Sequence, residues 1–137
     1  LYIIQSEMDF ETARADLMAR YEARTDEWGW ILVELTLNEI TEENAFKAIL
    51  VGSRDNTLLA QRLTEVYFYL AKRHQQEGDF ASAISLYKLA LSGNVFEYVE
   101  HRYSFLELTR IYNQVKAEQL AQAKLEAQDD QQAKSEQ

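Results

Sequence analysis

Residues 64–97 read TEVYFYLAKRHQQEGDFASAISLYKLALSGNVFE, and the fold turns on this stretch. Together with the residues just before it, it carries two apolar patterns of helical period. Leu59, Leu63, Val66, Tyr67, Leu70 and His74 fall on one face of a first helix. Phe80, Ala83, Ile84, Tyr87, Ala90 and Leu91 fall on one face of a second. Between them Gly78 lets the backbone turn, and Asp79 can cap the start of the second helix. Ala83 and Ala90 are small where the partner helix must come close. The two helices therefore form an antiparallel pair.

Working outward, the same signal recurs upstream. Met8-Asp9-Phe10 stands 70 residues before Gly78-Asp79-Phe80, and Ala13 and Leu17 match Ala83 and Tyr87. Residues 1–7 then read as the last turns of a first helix whose beginning is missing, so the chain is expected to be the C-terminal part of a longer protein. The interval leaves room for one more helix pair. Trp28, Ile31, Leu32 and Leu35 mark its first face; Thr41 is an N-cap candidate, followed by Ala45, Phe46, Ile49 and Leu50. Residues 52–57, GSRDNT, are a linker, and Asp55 or Thr57 can cap the long helix that follows. Downstream, Gly93-Asn94 stops a helix. Val95, Val99, Arg102, Phe105, Leu106, Thr109 and Tyr112 mark the buried face of the next. Beyond Asn113 the composition turns to Ala, Gln, Lys and Glu, a solvated helical extension to about Glu126 with a disordered end.

This spacing is that of the tetratricopeptide repeat, TPR. Tyr67, Leu70 and Ala71 occupy the W-x₂-L-G positions, and Val95 stands where the repeat usually ends in Pro. The reading is all-α: antiparallel helix pairs in a right-handed superhelical array over residues 1–112, with a tail at 113–137. Its parts are a partial repeat at 1–25, a degenerate pair at 26–52, the full repeat at 64–97 and a following helix at 96–112. Helices are predicted near 9–23, 26–38, 42–51, 57–77, 80–92 and 96–112.

Composition narrows the function. The 47% apolar share is that of a globular domain, and 137 residues can bury a sizeable core. A net charge of −9 argues against nucleic acid and anionic membrane surfaces as partners. With no Cys, the chain itself can form no disulfide, thiolate nucleophile or Cys-ligated zinc site.

Residues 1–112 resemble the C-terminal part of the NlpI family of bacterial outer-membrane TPR lipoproteins. The likeness rests on Trp28-Gly29-Trp30, Val33-Glu34, Asp55-Asn56-Thr57, Phe68-Tyr69-Leu70, Gly78-Asp79, Asn94-Val95, residues 99–103 (VEHRY) and Leu106-Glu107-Leu108, in that order and spacing. The resemblance implies a non-catalytic, dimeric adaptor on the periplasmic side of the outer membrane. It implies a scaffold for peptidoglycan hydrolases that presents a cell-wall endopeptidase to a processing protease. The lipid-bearing Cys and the N-terminal repeats of that family are not in this chain, so membrane attachment is implied only through an anchor outside it.

No catalytic or metal-binding constellation is read from the sequence, and no cofactor is implied. His74 is read as a packed, hydrogen-bonded core histidine, and His101, beside Glu100 and Arg102, as an ion-pair or cap residue. Glu42-Glu43 is first-turn acid that suits a helix dipole. Trp28 and Trp30 could stack a sugar, but the helical period assigns Trp28 to the core and Trp30 to the edge of the next repeat. For partner binding the candidate is the far side of the long helix: Gln61, Glu65, Phe68, Lys72 and Gln75. First helices line the inner surface of a TPR array, so this stripe is expected to face the groove. Phe68 is either its anchor or a packing residue against the adjacent repeat. Two other classes stand beside the adaptor. One is a generic TPR peptide-binding cofactor, for which the stripe offers a single cation, Lys72. The other is the regulatory or oligomerisation end of a larger enzyme.

Overall fold

The computed structural model describes residues 2–25 and 27–135, with side chains up to residue 128. The described residues are all-α. The helices are α1 (Tyr2–Ser6), α2 (Phe10–Glu22), α3 (Gly29–Leu37), α4 (Glu42–Gly52), α5 (Asn56–Gln76), α6 (Phe80–Ser92) and α7 (Val99–Ser135).

Four of these helices begin on a side chain that takes up an otherwise orphaned backbone N–H. Asp9 accepts from Thr12 N, Thr41 from Asn44 N, Asp55 from Leu58 N and Asp79 from Ser82 N. The stops are equally local. Asn38, Gly78 and Asn94 adopt positive φ (63°, 82° and 52°), which reverses the chain after α3, α5 and α6. Helix α3 differs from expectation. It starts at Gly29, preceded by Trp28 with no side-chain cap. The predicted start at residue 26 lies outside the described residues.

The pair α5/α6 is the densest part of the molecule. Ala83, Ala90 and Tyr87 are fully buried, and the Thr64 hydroxyl reaches the Ala90 carbonyl oxygen at 3.5 Å. Close approach also fixes Gly93, where an added Cβ would lie 2.8 Å from Thr64 Oγ1. Two apolar clusters flank α5. One joins Phe68, Ala71, Ala83, Tyr87, Ala90 and Ile111, with Ile3 and Leu108 packed on it. The other joins Leu35, Ala45, Ile49, Val66 and Leu70, with Trp28, Phe46 and Leu63 around it. Helix α5 is thus the spine: α3 and α4 pack on one side of it, α6 and α7 on the other.

Two expectations fail here. Helix α7 buries the opposite face from the one predicted. Ser104, Glu107 and Ile111 are buried, while Val99, Arg102, Phe105, Leu106, Thr109 and Tyr112 are exposed. The reason is a phase break. Val95 is buried but sits in the turn before α7, so a period carried through it points the helix the wrong way. The helical extension expected past Tyr112 is present, but it does not fray after Glu126; α7 runs unbroken to Ser135, over a segment with no Gly or Pro. Tyr2 and Ile3 are half-buried, Ile3 against the Phe68 cluster; Ile4 is exposed, and Leu1 lies outside the described residues.

Candidate functional site

The five residues of the predicted stripe lie in different surroundings, not on one open face. Phe68 and Lys72 are buried, each with 5% of its surface exposed. Phe68 packs against Tyr69 and Tyr87, with ring centroids 5.4 and 6.0 Å away. The packing reading of Phe68 therefore holds, and its neighbours include Ile111 of α7. Lys72 is no free cation. Its Nζ lies 3.0 Å from Glu7 Oε1 and 3.6 Å from Glu107 Oε2. Gln75 donates to Glu107 at 3.0 Å and accepts the Tyr87 hydroxyl at 2.6 Å. Glu65 accepts the Trp28 indole N–H at 2.9 Å, tying α5 to α3; burial pushes its carboxyl above the usual range. Gln61 lines a separate shallow hollow with Asn56, Thr57 and Gly93.

What covers the stripe creates the more defined site. Helices α1 and α7 converge over α5 and leave a cleft of about 280 Å³ between them. Phe68 and Tyr69 line it from α5, Ile3 and Ile4 from α1, and Val99 and Tyr103 from α7. Ile4, Val99 and Tyr103 are 68, 58 and 52% exposed, a large apolar share for a surface of this kind. Glu7, Glu100, Glu107 and Arg110 supply the charge.

The charges order the cleft. Arg110 Nη1 lies 3.3 Å from both Glu7 Oε1 and Glu107 Oε1. With Lys72 it makes two cations against two carboxylates, drawn from α5, α7 and the turn after α1. A buried ammonium is tolerated only when paired in this way. The Lys72 hydrogen bond holds the Glu7 carboxyl below its ordinary value, assisted by Arg110 and opposed by partial burial. Burial pushes the Tyr69 hydroxyl up to about 12, with the Glu100 and Glu65 charges adding to it. Tyr69 is therefore a neutral hydrogen-bonding group at physiological pH. The arrangement offers a preformed apolar slot with a fixed charged edge, the kind of surface that takes an apolar side chain and hydrogen-bonds its backbone.

Sequence reading missed Ile4, Glu7, Val99, Tyr103, Glu107 and Arg110 as one site. Tyr103, Glu107 and Arg110 stand at i, i+4 and i+7, and that spacing was available as a signal. The contribution of α1 was not, because 65 residues separate Glu7 from Lys72.

The remaining candidates resolve as packing. His74 is half-buried between Glu42 and Asp79, its Nδ1 3.2 Å from Asp79 Oδ2 but outside hydrogen-bond geometry. His101 makes no ion pair among the described residues; it meets the Phe96 ring edge-on at 4.8 Å. Trp28 packs on the Leu35 cluster beneath the Arg62 guanidinium, 4.2 Å from its ring. Trp30 turns back to Tyr21 of α2 and Thr25, not forward to the next helix pair. Among the described residues no group of three or more His, Asp or Glu could hold a metal ion, and no helix is long and apolar enough to cross a membrane. No protein-family model matches the chain.

Proposed function

We propose that this chain is a non-catalytic adaptor of the bacterial cell envelope, related to the NlpI-like TPR lipoproteins. It brings a peptidoglycan endopeptidase together with a processing protease. On this reading α1/α2, α3/α4 and α5/α6 are successive TPR-like pairs in a right-handed superhelix, with α7 opening the next unit. The equivalence of Asp9 and Asp79 as caps, and of Ala13 and Ala83 as buried crossing residues, supports that arrangement. The protein works on the periplasmic side of the outer membrane, held by a lipid anchor outside this chain, and associates as a homodimer.

The observation that carries the proposal is the cleft between α1 and α7. It has an aromatic floor, exposed apolar rims, and Glu7, Glu107 and Arg110 already paired along its edge. Such a surface binds without doing chemistry, and a protein segment that inserts an apolar side chain fits it. The test is the double substitution Val99→Ala with Tyr103→Ala, titrated with a purified endopeptidase of this class. Both residues are more than half exposed, so the fold tolerates the change. Endopeptidase affinity should fall about tenfold or more, with the thermal midpoint nearly unmoved. Undiminished affinity removes the cleft from the binding site.

A further inference from the structure

The outer face of α7 is a second surface, which adjoins the cleft at Val99 and Arg110 and is independent of the adaptor reading. Past Val115 every described side chain of α7 is exposed, while the helix continues to Ser135. Its 37 residues span about 55 Å at 1.5 Å per residue. Turning about 100° per residue from Ile111, which faces the core, sorts its side chains into two halves. The outward half carries Val99, Phe105, Leu106, Tyr112 and Leu120, each between 54 and 65% exposed. It also carries Arg102, Lys116 and Lys124, with the ion-paired Arg110 at its edge. All four carboxylates between residues 99 and 127, namely Glu100, Glu107, Glu118 and Glu126, fall on the inward half.

In a chain of net charge −9, this face of α7 between residues 99 and 127 therefore joins apolar side chains to cations and carries no acid. None of those three cations is ion-paired among the described residues. The charge separation also discriminates among occupants. A second copy presenting the same face would bring like charges together. An anionic bilayer would meet the acidic body behind the helix. A helix whose apolar seam is bordered by carboxylates satisfies both the seam and the cations. It would also give tertiary contacts to a helical segment whose described side chains beyond Val115 are all exposed. We infer that the outer face of α7 docks an acidic amphipathic helix of a partner protein, with Phe105, Leu106 and Leu120 as the seam and Arg102, Lys116 and Lys124 as its charge register.

The experiment titrates the whole chain with two synthetic helical peptides that share one leucine seam, one bordered by glutamates and the other by lysines. The glutamate peptide should bind, weaken as salt is raised, and lose about tenfold or more of its affinity to Lys116→Glu with Lys124→Glu. Those two positions lie beyond the last body contact of α7, so loss of folding cannot produce the result. Leu106→Asp should weaken binding similarly, and Val51→Asp, on α4 and 89% exposed, should not. The inference is overturned if the two peptides bind alike, if neither binds, or if the lysine reversals have no effect. It is also overturned if Leu106→Asp dissolves a dimer in sedimentation equilibrium, or if the lysine reversals abolish binding to anionic phospholipid vesicles.

Discussion

Replacing Phe68 by Ala measures how firmly α1, α5 and α7 are held together. The ring is 5% exposed, packs against Tyr69 and Tyr87, and belongs to one buried cluster with Ala71 and Ile111. Truncating a buried Phe costs about 3–5 kcal/mol, from lost transfer energy and the cavity left behind. The tilted and edge-on contacts with Tyr87 and Tyr69 are lost with it. One side of the ring borders the α1/α7 cleft, so water can enter part of the vacated space. That places the cost near the lower end, about 3–4 kcal/mol. For a chain of this length the unfolding entropy turns that into a fall in thermal midpoint of roughly 10–14 °C. Urea unfolding followed by circular dichroism is the assay. The midpoint concentration should fall while the m-value stays constant. A loss below about 1 kcal/mol would refute the packing, because an exposed aromatic costs no more than that to truncate.

Ala83→Leu should overpack the α5/α6 crossing, where Ala83 is fully buried, and cost about 1–3 kcal/mol; an unchanged thermal midpoint would show the crossing is misplaced. The Glu7 carboxyl titrates below its unfolded value near 4.5, chiefly because it accepts from Lys72. Its stabilising contribution is thus complete above pH 4.5 and is lost as pH falls through the lower, folded value. Glu7→Gln should therefore narrow the gap to wild type as the solution is acidified through that window; a constant gap in pH-dependent urea unfolding would contradict the Lys72 pairing. Amide exchange before Trp28 should be faster than in α5 and α6, since α1 and α2 reach the body through α3 and a few side chains. Uniform protection in exchange mass spectrometry would contradict this.

The parts legible in the sequence are those where local chemistry decides. Thr41, Asp55 and Asp79 were readable as caps because a cap acts within three residues. Ala83 and Ala90 were readable because only small residues fit a close crossing. The α7 face was not, because α7 has large apolar residues on both sides and buries Ser104 and Glu107 instead of Phe105 and Leu106. Small Ser104 suits close packing, and Glu107 answers the charge on Lys72, a partner on another helix. The stripe of Gln61, Glu65, Phe68, Lys72 and Gln75 is not clear of the intrapair face of α5: Phe68 shares a cluster with Ala83, Tyr87 and Ala90 of α6, and Gln75 accepts from Tyr87. Periodicity within one helix says which side is apolar; it does not say that α1 and α7 will close over the polar one.

The adaptor proposal is tested most directly by one sedimentation experiment. The chain is mixed with a purified peptidoglycan endopeptidase and an envelope processing protease, separately and together. The proposal predicts a single ternary species heavier than either binary complex, diminished by Val99→Ala with Tyr103→Ala through loss of the endopeptidase alone. Mutually exclusive binding, or no complex with either enzyme, would contradict it.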